Sequence, residues 1–191
     1  MNRRKYLKYV LGIIGSSVGA YILPKWFTTS HLLDAGNFLK QHALLGELVE
    51  IVIPTTDSPG AKAALVHEYI TNIILNCTDI REQNSFYTGL LEVEEYSLNN
   101  LGRSFQYLSD YDKRLVVEQF ALTAHSFNPI ISKVKKKLLG EAFYIKLRRL
   151  TIEGYCQSRI GATQALRYDF IPGKFLARVP LEPDQKSWAT K

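Results

Sequence analysis

Apolar residues recur along this chain at helical intervals, and the polar and turn-forming residues between them divide it into segments. From Leu32 to Ile53 the sequence reads as a helix, with Leu44, Leu45, Leu48, Val49 and Val52 on one face. Pro54 stops it. Thr55-Thr56-Asp57-Ser58-Pro59-Gly60 has the composition of a turn. A second helix is expected from Ala61 to Asn76, its apolar face carrying Val66, Tyr69, Ile70, Ile73 and Ile74. Asp79 is placed to cap a third helix running toward Asn99 or Asn100, with Phe86, Leu90, Leu91 and Leu98 at helical spacing and Gly102 ending it. Ser109 is placed to cap a fourth, from Asp110 to about Phe127, with acids in its first turn. Asn128-Pro129 marks a break, and Ser132 to Tyr155 reads as one long basic amphipathic helix. Beyond Cys156 come Gly161, Pro172, Gly173, Pro180 and Pro183, which predict an extended tail. No stretch alternates as a strand does and no internal repeat occurs, so the expected class is all-α.

The first residues break this pattern. Asn-Arg-Arg-Lys-Tyr-Leu-Lys over residues 2–8 precedes a short, weakly apolar run, Tyr9 to Leu23, interrupted by Gly12, Gly15 and Gly19. That run is too short and glycine-rich for a membrane span, and a basic start followed by a short apolar stretch is the layout of an export signal. Arg3 and Arg4 ahead of Tyr6, Leu7 and Lys8 mark the twin-arginine (Tat) translocase route. Val18 and Ala20 form a poor cleavage site. The expected organisation is a signal segment over residues 1–28, a helical domain over 29–158 and a tail over 159–191 that packs on the domain or on a partner. The expected location is the periplasm, at the membrane surface.

Charge sharpens this reading. The formal charge is +6, and Arg3, Arg4, Lys5 and Lys8 carry four of those charges, which leaves +2 on the rest of the chain. The basic balance is partly a property of the N-terminus, and no nucleic-acid partner is expected. With 191 residues, 46% of them hydrophobic, the chain is long and apolar enough to bury a core.

Candidate chemistry is sparse. The sequence has no glycine-rich nucleotide loop, no Gly-x-Ser-x-Gly elbow and no zinc-ligand spacing. His31, His42, His67 and His125 are scattered over helices. Glu92, Glu94 and Glu95 read as a solvated helix face. Cys77 reads as a buried structural thiol; Cys156, just after the last long helix, could if accessible in an oxidising compartment pair with Cys77 or with another chain, and a free cysteine is the commonest outcome. Lys133, Lys135, Lys136 and Lys137 read first as a solvated helix start, and second as a contact for anionic lipid or an acidic partner. No catalytic, cofactor-binding or metal-binding residue is assigned to this chain.

Two segments carry a resemblance. One is Leu48-Val49-Glu50-Ile51-Val52-Ile53-Pro54-Thr55-Thr56-Asp57-Ser58-Pro59-Gly60-Ala61. The other is Leu150-Thr151-Ile152-Glu153-Gly154-Tyr155-Cys156-Gln157-Ser158, followed by Ile160-Gly161-Ala162, Leu166-Arg167-Tyr168 and Pro172-Gly173. In this order they resemble the gluconate 2-dehydrogenase subunit 3 family, from about residue 44 to the C-terminus, and the twin-arginine start is typical of it. One departure is that relatives carry a cysteine shortly after the Pro-Gly of the tail, where this chain reads Lys174-Phe175-Leu176-Ala177-Arg178. A disulfide to a partner from that point is therefore not available.

The resemblance implies a non-catalytic accessory subunit of a membrane-associated, FAD-dependent sugar or sugar-acid dehydrogenase. Its large subunit would be a flavoprotein of the glucose-methanol-choline oxidoreductase type holding the FAD, with a cytochrome c subunit often taking the electrons. The small subunit would supply the Tat address and stabilise the large one. Pro54, Asp57, Pro59, Gly60, Glu153, Gly154, Tyr155, Ser158, Tyr168, Pro172 and Gly173 are the motif residues and the candidate partner contacts. Asp57 is expected to cap the helix beginning near Ala61, Gly154 to allow close packing or a helix end, and Tyr155 to bury its ring and bond through its hydroxyl. The alternatives are a membrane-surface binding protein using Lys133 to Lys137 and, less favoured, a free-standing periplasmic enzyme.

Overall fold

The computed structural model describes residues 35–124, 141–171, 173, 178, 180 and 183–189. The export signal with Arg3, Arg4, Tyr6, Leu7 and Lys8, the Lys133–Lys137 run, His31, His125 and Pro172 lie outside the described residues. The described residues form helices α1 (Ala35–Lys40), α2 (His42–Val52), α3 (Val66–Cys77), α4 (Ile80–Leu101), α5 (Asp110–Ala124) and α6 (Phe143–Gln157). A 3-10 turn, Phe105–Tyr107, precedes α5, and a turn of π-helix, Gly161–Ala165, follows α6. Among the described residues there is no strand, only one parallel bridge between Arg167 and Trp188. The all-α class read from the periodicity is the class observed. No helix of the described residues is long and apolar enough to cross a membrane.

Helix α6 is the centre of the bundle and packs on α2, α3, α4 and α5. It brings Leu147, Leu150 and Tyr155 to the core, where they meet Leu44, Leu45, Leu48 and Val49 of α2, Val66, Ile70 and Ile74 of α3, and Phe86, Leu90 and Val93 of α4. The expected apolar faces of α2 and α3 are those that point inward. On α4 the face is rotated from the expected one: Val93 and Ser97 are buried, whereas Leu91 and Leu98 are exposed. The reason is Gly89, where a Cβ would lie 2.3 Å from the Phe143 ring, so α4 approaches α6 most closely along the Phe86–Gly89–Val93 stripe.

Several boundaries differ from the expected ones. The first helix is two helices, because Gln41 leaves the helical region (φ −87°, ψ 4°) and Phe38 packs on Phe86 and Tyr87 at centroid separations of 6.3 and 6.2 Å. The helix expected from Ala61 starts at Val66, since Leu65 sits in the left-handed region (φ 56°, ψ 31°). The helix that ends near Tyr155 begins at Phe143 behind a non-helical Ala142, so the stretch expected as one helix is interrupted there; its part from Ser132 to Gly140 lies outside the described residues. The expected extended tail begins instead with the π-helical turn Gly161–Ala165, and the backbone becomes extended at Leu166 (φ −102°, ψ 170°). Three of the expected helix ends are where they were placed. Asp79 accepts from the Glu82 amide at 2.9 Å, Gly102 closes α4 at φ 68°, and the Asp112 amide donates to Ser109 Oγ at 3.2 Å.

Two ion pairs cross the helices from inside. Lys113 of α5 is nearly buried and donates to Glu47 of α2 at 2.7 Å, while Lys62 reaches the other oxygen of Glu47. Lys146 of α6 is buried and pairs with Glu82 of α4. Removing one partner of such a pair leaves a charge with no compensation inside the bundle.

Candidate functional site

The two sequence motifs come together where α2 ends and α6 ends. Pro54 stops α2 and the chain turns back on itself, with the Ala61 amide donating to the Ile53 carbonyl at 2.9 Å and the Thr56 amide to the Ser58 carbonyl at 3.0 Å. The carboxylate of Glu50 holds this turn from below. One oxygen accepts from the Thr55 amide (2.9 Å) and the Thr55 hydroxyl (2.7 Å), and the other from the Lys62 amide (3.0 Å). Thr55 Oγ1 in turn accepts from the Gly60 amide at 3.0 Å. Carboxylate-to-amide bonds of this kind are stronger than neutral ones. A Cβ at Gly60 would lie 2.4 Å from Glu50 Oε1, so the close approach needs glycine there.

Helix α6 closes the junction from the other side. The Tyr155 ring is buried, and its hydroxyl donates to the Pro59 carbonyl at 2.7 Å and lies 3.5 Å from Ser58 Oγ. Two residues back, Glu153 accepts from the Tyr69 hydroxyl at 3.0 Å. Burial, followed by this bond to Glu153, pushes the Tyr69 phenol above its ordinary value. Gly154 lies directly under the Tyr69 ring, and a Cβ there would be 2.5 Å from Cδ1. Ser158 Oγ donates to the Tyr155 carbonyl at 2.7 Å and accepts from the Gly161 amide at 2.9 Å, which ties the helix end to the π-turn.

Apart from Pro172, which lies outside the described residues, each expected motif residue has a definite place. Gly60, Glu153, Gly154, Tyr155 and Ser158 lock the junction, and Pro59 does so through its carbonyl. The expected cap by Asp57 is not formed, because α3 begins at Val66, well past the loop, and no side chain caps it. Asp57 is exposed instead, as are Pro54, Thr55 and Thr56. Tyr168 and Gly173 are exposed and lie apart from the junction, on the tail. Glu50, the residue that organises the loop, was not singled out in the sequence. Its one signal there was an acid in the last turn of an apolar helix just before a Pro-x-x-Asp-x-Pro-Gly loop.

The tail folds back at one point. Arg167 exchanges backbone bonds with Ser187 and Ala189, and its guanidinium lies 4.4 Å from the Trp188 ring centroid. Tyr168, Phe170 and Ile171 follow, all exposed. Both cysteines are free and exposed, which corrects the expectation of a buried Cys77. Cys77 continues the spacing of the Val66–Ile70–Ile74 stripe but is the last residue of α3, and at this helix end the thiol is exposed. His42 and His67 meet edge to face at 4.5 Å between ring centroids. His67 Nδ1 is buried without a hydrogen-bond partner among the described residues. Burial, and then the charge of His42, hold the His67 imidazole below its usual value. Among the described residues no group of three or more His, Cys, Asp or Glu converges as a metal site.

What the fold and this junction define is a helical scaffold that presents a locked loop and, past the π-turn, the exposed Phe170 and Ile171. The profile of the gluconate 2-dehydrogenase subunit 3 family matches residues 40–173, which includes both motifs and the whole described bundle except α1. The chain belongs to that family, and so to the subunits of a multi-subunit dehydrogenase. No curated protein and no solved structure gives a significant match to the chain.

Proposed function

We propose that this chain is a non-catalytic accessory subunit that carries a flavin-dependent sugar or sugar-acid dehydrogenase through the twin-arginine route and remains bound to it at the periplasmic face of the membrane. The observation that carries the reading is the family match over residues 40–173. Two further features support it. Arg3-Arg4 with Tyr6, Leu7 and Lys8 has the pattern of a twin-arginine export address. Phe170 and Ile171 are 80% and 74% exposed on a tail anchored by Arg167 and Trp188, and large apolar side chains displayed in this way mark contact surfaces. In this reading the large subunit, of the glucose-methanol-choline oxidoreductase type, holds the FAD and determines the substrate, and a cytochrome c subunit accepts the electrons. The present chain supplies the address and stabilises the large subunit by binding its folded form.

The test is the double substitution Arg3→Lys and Arg4→Lys in the native host, followed by fractionation. Both this chain and the dehydrogenase large subunit are expected to stay in the cytoplasm. Unchanged export of the large subunit would refute the escort role.

A further inference from the structure

Positive charge is not spread evenly along the chain. The formal charge is +6, of which residues 1–20 carry +4, while residues 159–191 carry +3 from six cations and three acids. The residues between, 21–158, are left with −1. Apart from the N-terminal segment, all of the net positive charge lies on the tail that follows α6.

The same tail displays its apolar side chains. Tyr168, Phe170 and Ile171 come directly after Arg167, and the parallel bridge sets Trp188 against Arg167 from the far end of the tail. The Arg167 amide donates to the Ser187 carbonyl at 2.8 Å, and the Ala189 amide donates to the Arg167 carbonyl at 2.9 Å. Lys186 Nζ donates to the Gln164 carbonyl at 2.6 Å, which ties the second segment to the π-turn. Two segments about twenty residues apart are thus joined into one surface. Tyr168 and Trp188 are half-exposed on it, Phe170 and Ile171 are almost fully exposed, and Arg167 and Lys186 are exposed cations.

This combination matches the layers of a bilayer surface. Phenylalanine and isoleucine enter the acyl boundary, tryptophan and tyrosine sit at headgroup level with one apolar and one polar end, and arginine and lysine meet anionic headgroups. The charge distribution selects the same occupant, because an anionic surface attracts the +3 tail and leaves the −1 body outward. No helix of the described residues is long and apolar enough to span a membrane, so the contact is peripheral.

We propose that the tail surface built from Tyr168, Phe170, Ile171 and Trp188, with Arg167 and Lys186, rests on an anionic phospholipid membrane. Phe170 and Ile171 supply the apolar insertion, Trp188 and Tyr168 lie at the headgroups, and the two cations hold phosphate. The contact goes beyond the accessory role and requires no dehydrogenase subunit.

The experiment uses the purified full-length chain carrying Trp26→Phe, which leaves Trp188 as its sole tryptophan. The N-terminal segment is basic too, so vesicle binding alone would not locate the contact, whereas Trp188 reports on the tail. Its fluorescence is followed on vesicles of phosphatidylethanolamine and phosphatidylglycerol with brominated acyl chains, and on brominated phosphatidylcholine. Quenching is expected on the anionic vesicles, much less on the neutral ones, and is expected to weaken as salt rises. Phe170→Ser with Ile171→Ser is expected to lower the affinity read from Trp188 by at least about tenfold. Thermal unfolding in buffer is expected to be unchanged in that variant, because both side chains are exposed. Vesicle binding without quenching of Trp188, or equal quenching in the double variant, would overturn the proposal. Loss of dehydrogenase by the double variant in the native envelope, with Trp188 unquenched by lipid in the parent chain, would assign the surface to a protein partner and overturn the lipid contact while leaving the accessory role intact.

Discussion

At the scale of single residues the junction makes uneven demands. Tyr155 donates one hydrogen bond to a backbone carbonyl across the two motifs, and Tyr155→Phe is expected to cost about 1 kcal/mol in denaturant unfolding. Glu50 is more exacting, because three donors converge on its carboxylate. Glu50→Gln keeps the size but replaces one acceptor oxygen with a donor group facing donors. A loss of roughly 1.5–3 kcal/mol is expected by the same measurement, and a loss under half of that would show the loop is held by other means. Gly154→Ala drives a methyl group into the root of the Tyr69 ring and is expected to cost about 1–3 kcal/mol. The contribution of Tyr155 was legible in the sequence, since a tyrosine in an apolar helical pattern buries its ring and seeks a partner for its hydroxyl. That of Glu50 was not, because its partners are loop amides whose direction depends on how the turn closes.

At the scale of elements, helices and their inward faces were readable because side chains repeat every 3.6 residues and the core rewards that period. Caps were readable where the chemistry is local, as at Asp79, Ser109 and Gly102. Boundaries failed where a longer-range contact overrides local preference. Ala61 to Leu65 has good helix formers, yet Glu50 takes the Lys62 amide and Ile53 takes the Ala61 amide, so the chain turns back before α3 can begin. The turn leaves Leu65 in a left-handed conformation that costs a non-glycine residue about 1–2 kcal/mol. Leu65 is also 53% exposed, so little packing is at stake. Leu65→Gly is therefore expected to hold stability constant or raise it by up to about 1 kcal/mol, checked by urea midpoint. A clear loss would mean that the leucine side chain contributes more than its exposure indicates.

At the scale of the whole molecule, the bundle is tied by two internal ion pairs and carries one histidine in an unfavourable setting. Burial alone would raise the Glu47 carboxyl, but hydrogen bonds from Lys113 and Lys62 outweigh it and leave the group below the usual carboxylate range. Its contribution to stability is present above the unfolded-state value of about 4.3 and is lost as pH falls through the lower folded-state value. His67 is also lowered, first by burial and then by His42, so the unfolded chain takes up its proton more readily than the folded one. Stability is expected to fall as pH drops below about 6.5, before the carboxylates titrate. The slope between about pH 7.5 and 5.5 is expected to flatten in His67→Gln, as read by thermal unfolding over pH. An unchanged slope would place the titration elsewhere.

The accessory role at this scale is a matter of association rather than of chemistry within the chain. The most direct test is the mass and flavin content of the species that the full-length chain forms when purified from its native envelope without denaturant. A one-to-one complex with a larger, flavin-containing dehydrogenase subunit is predicted. A colourless chain that elutes by itself, with dehydrogenase activity left in a separate fraction, would contradict the accessory-subunit reading.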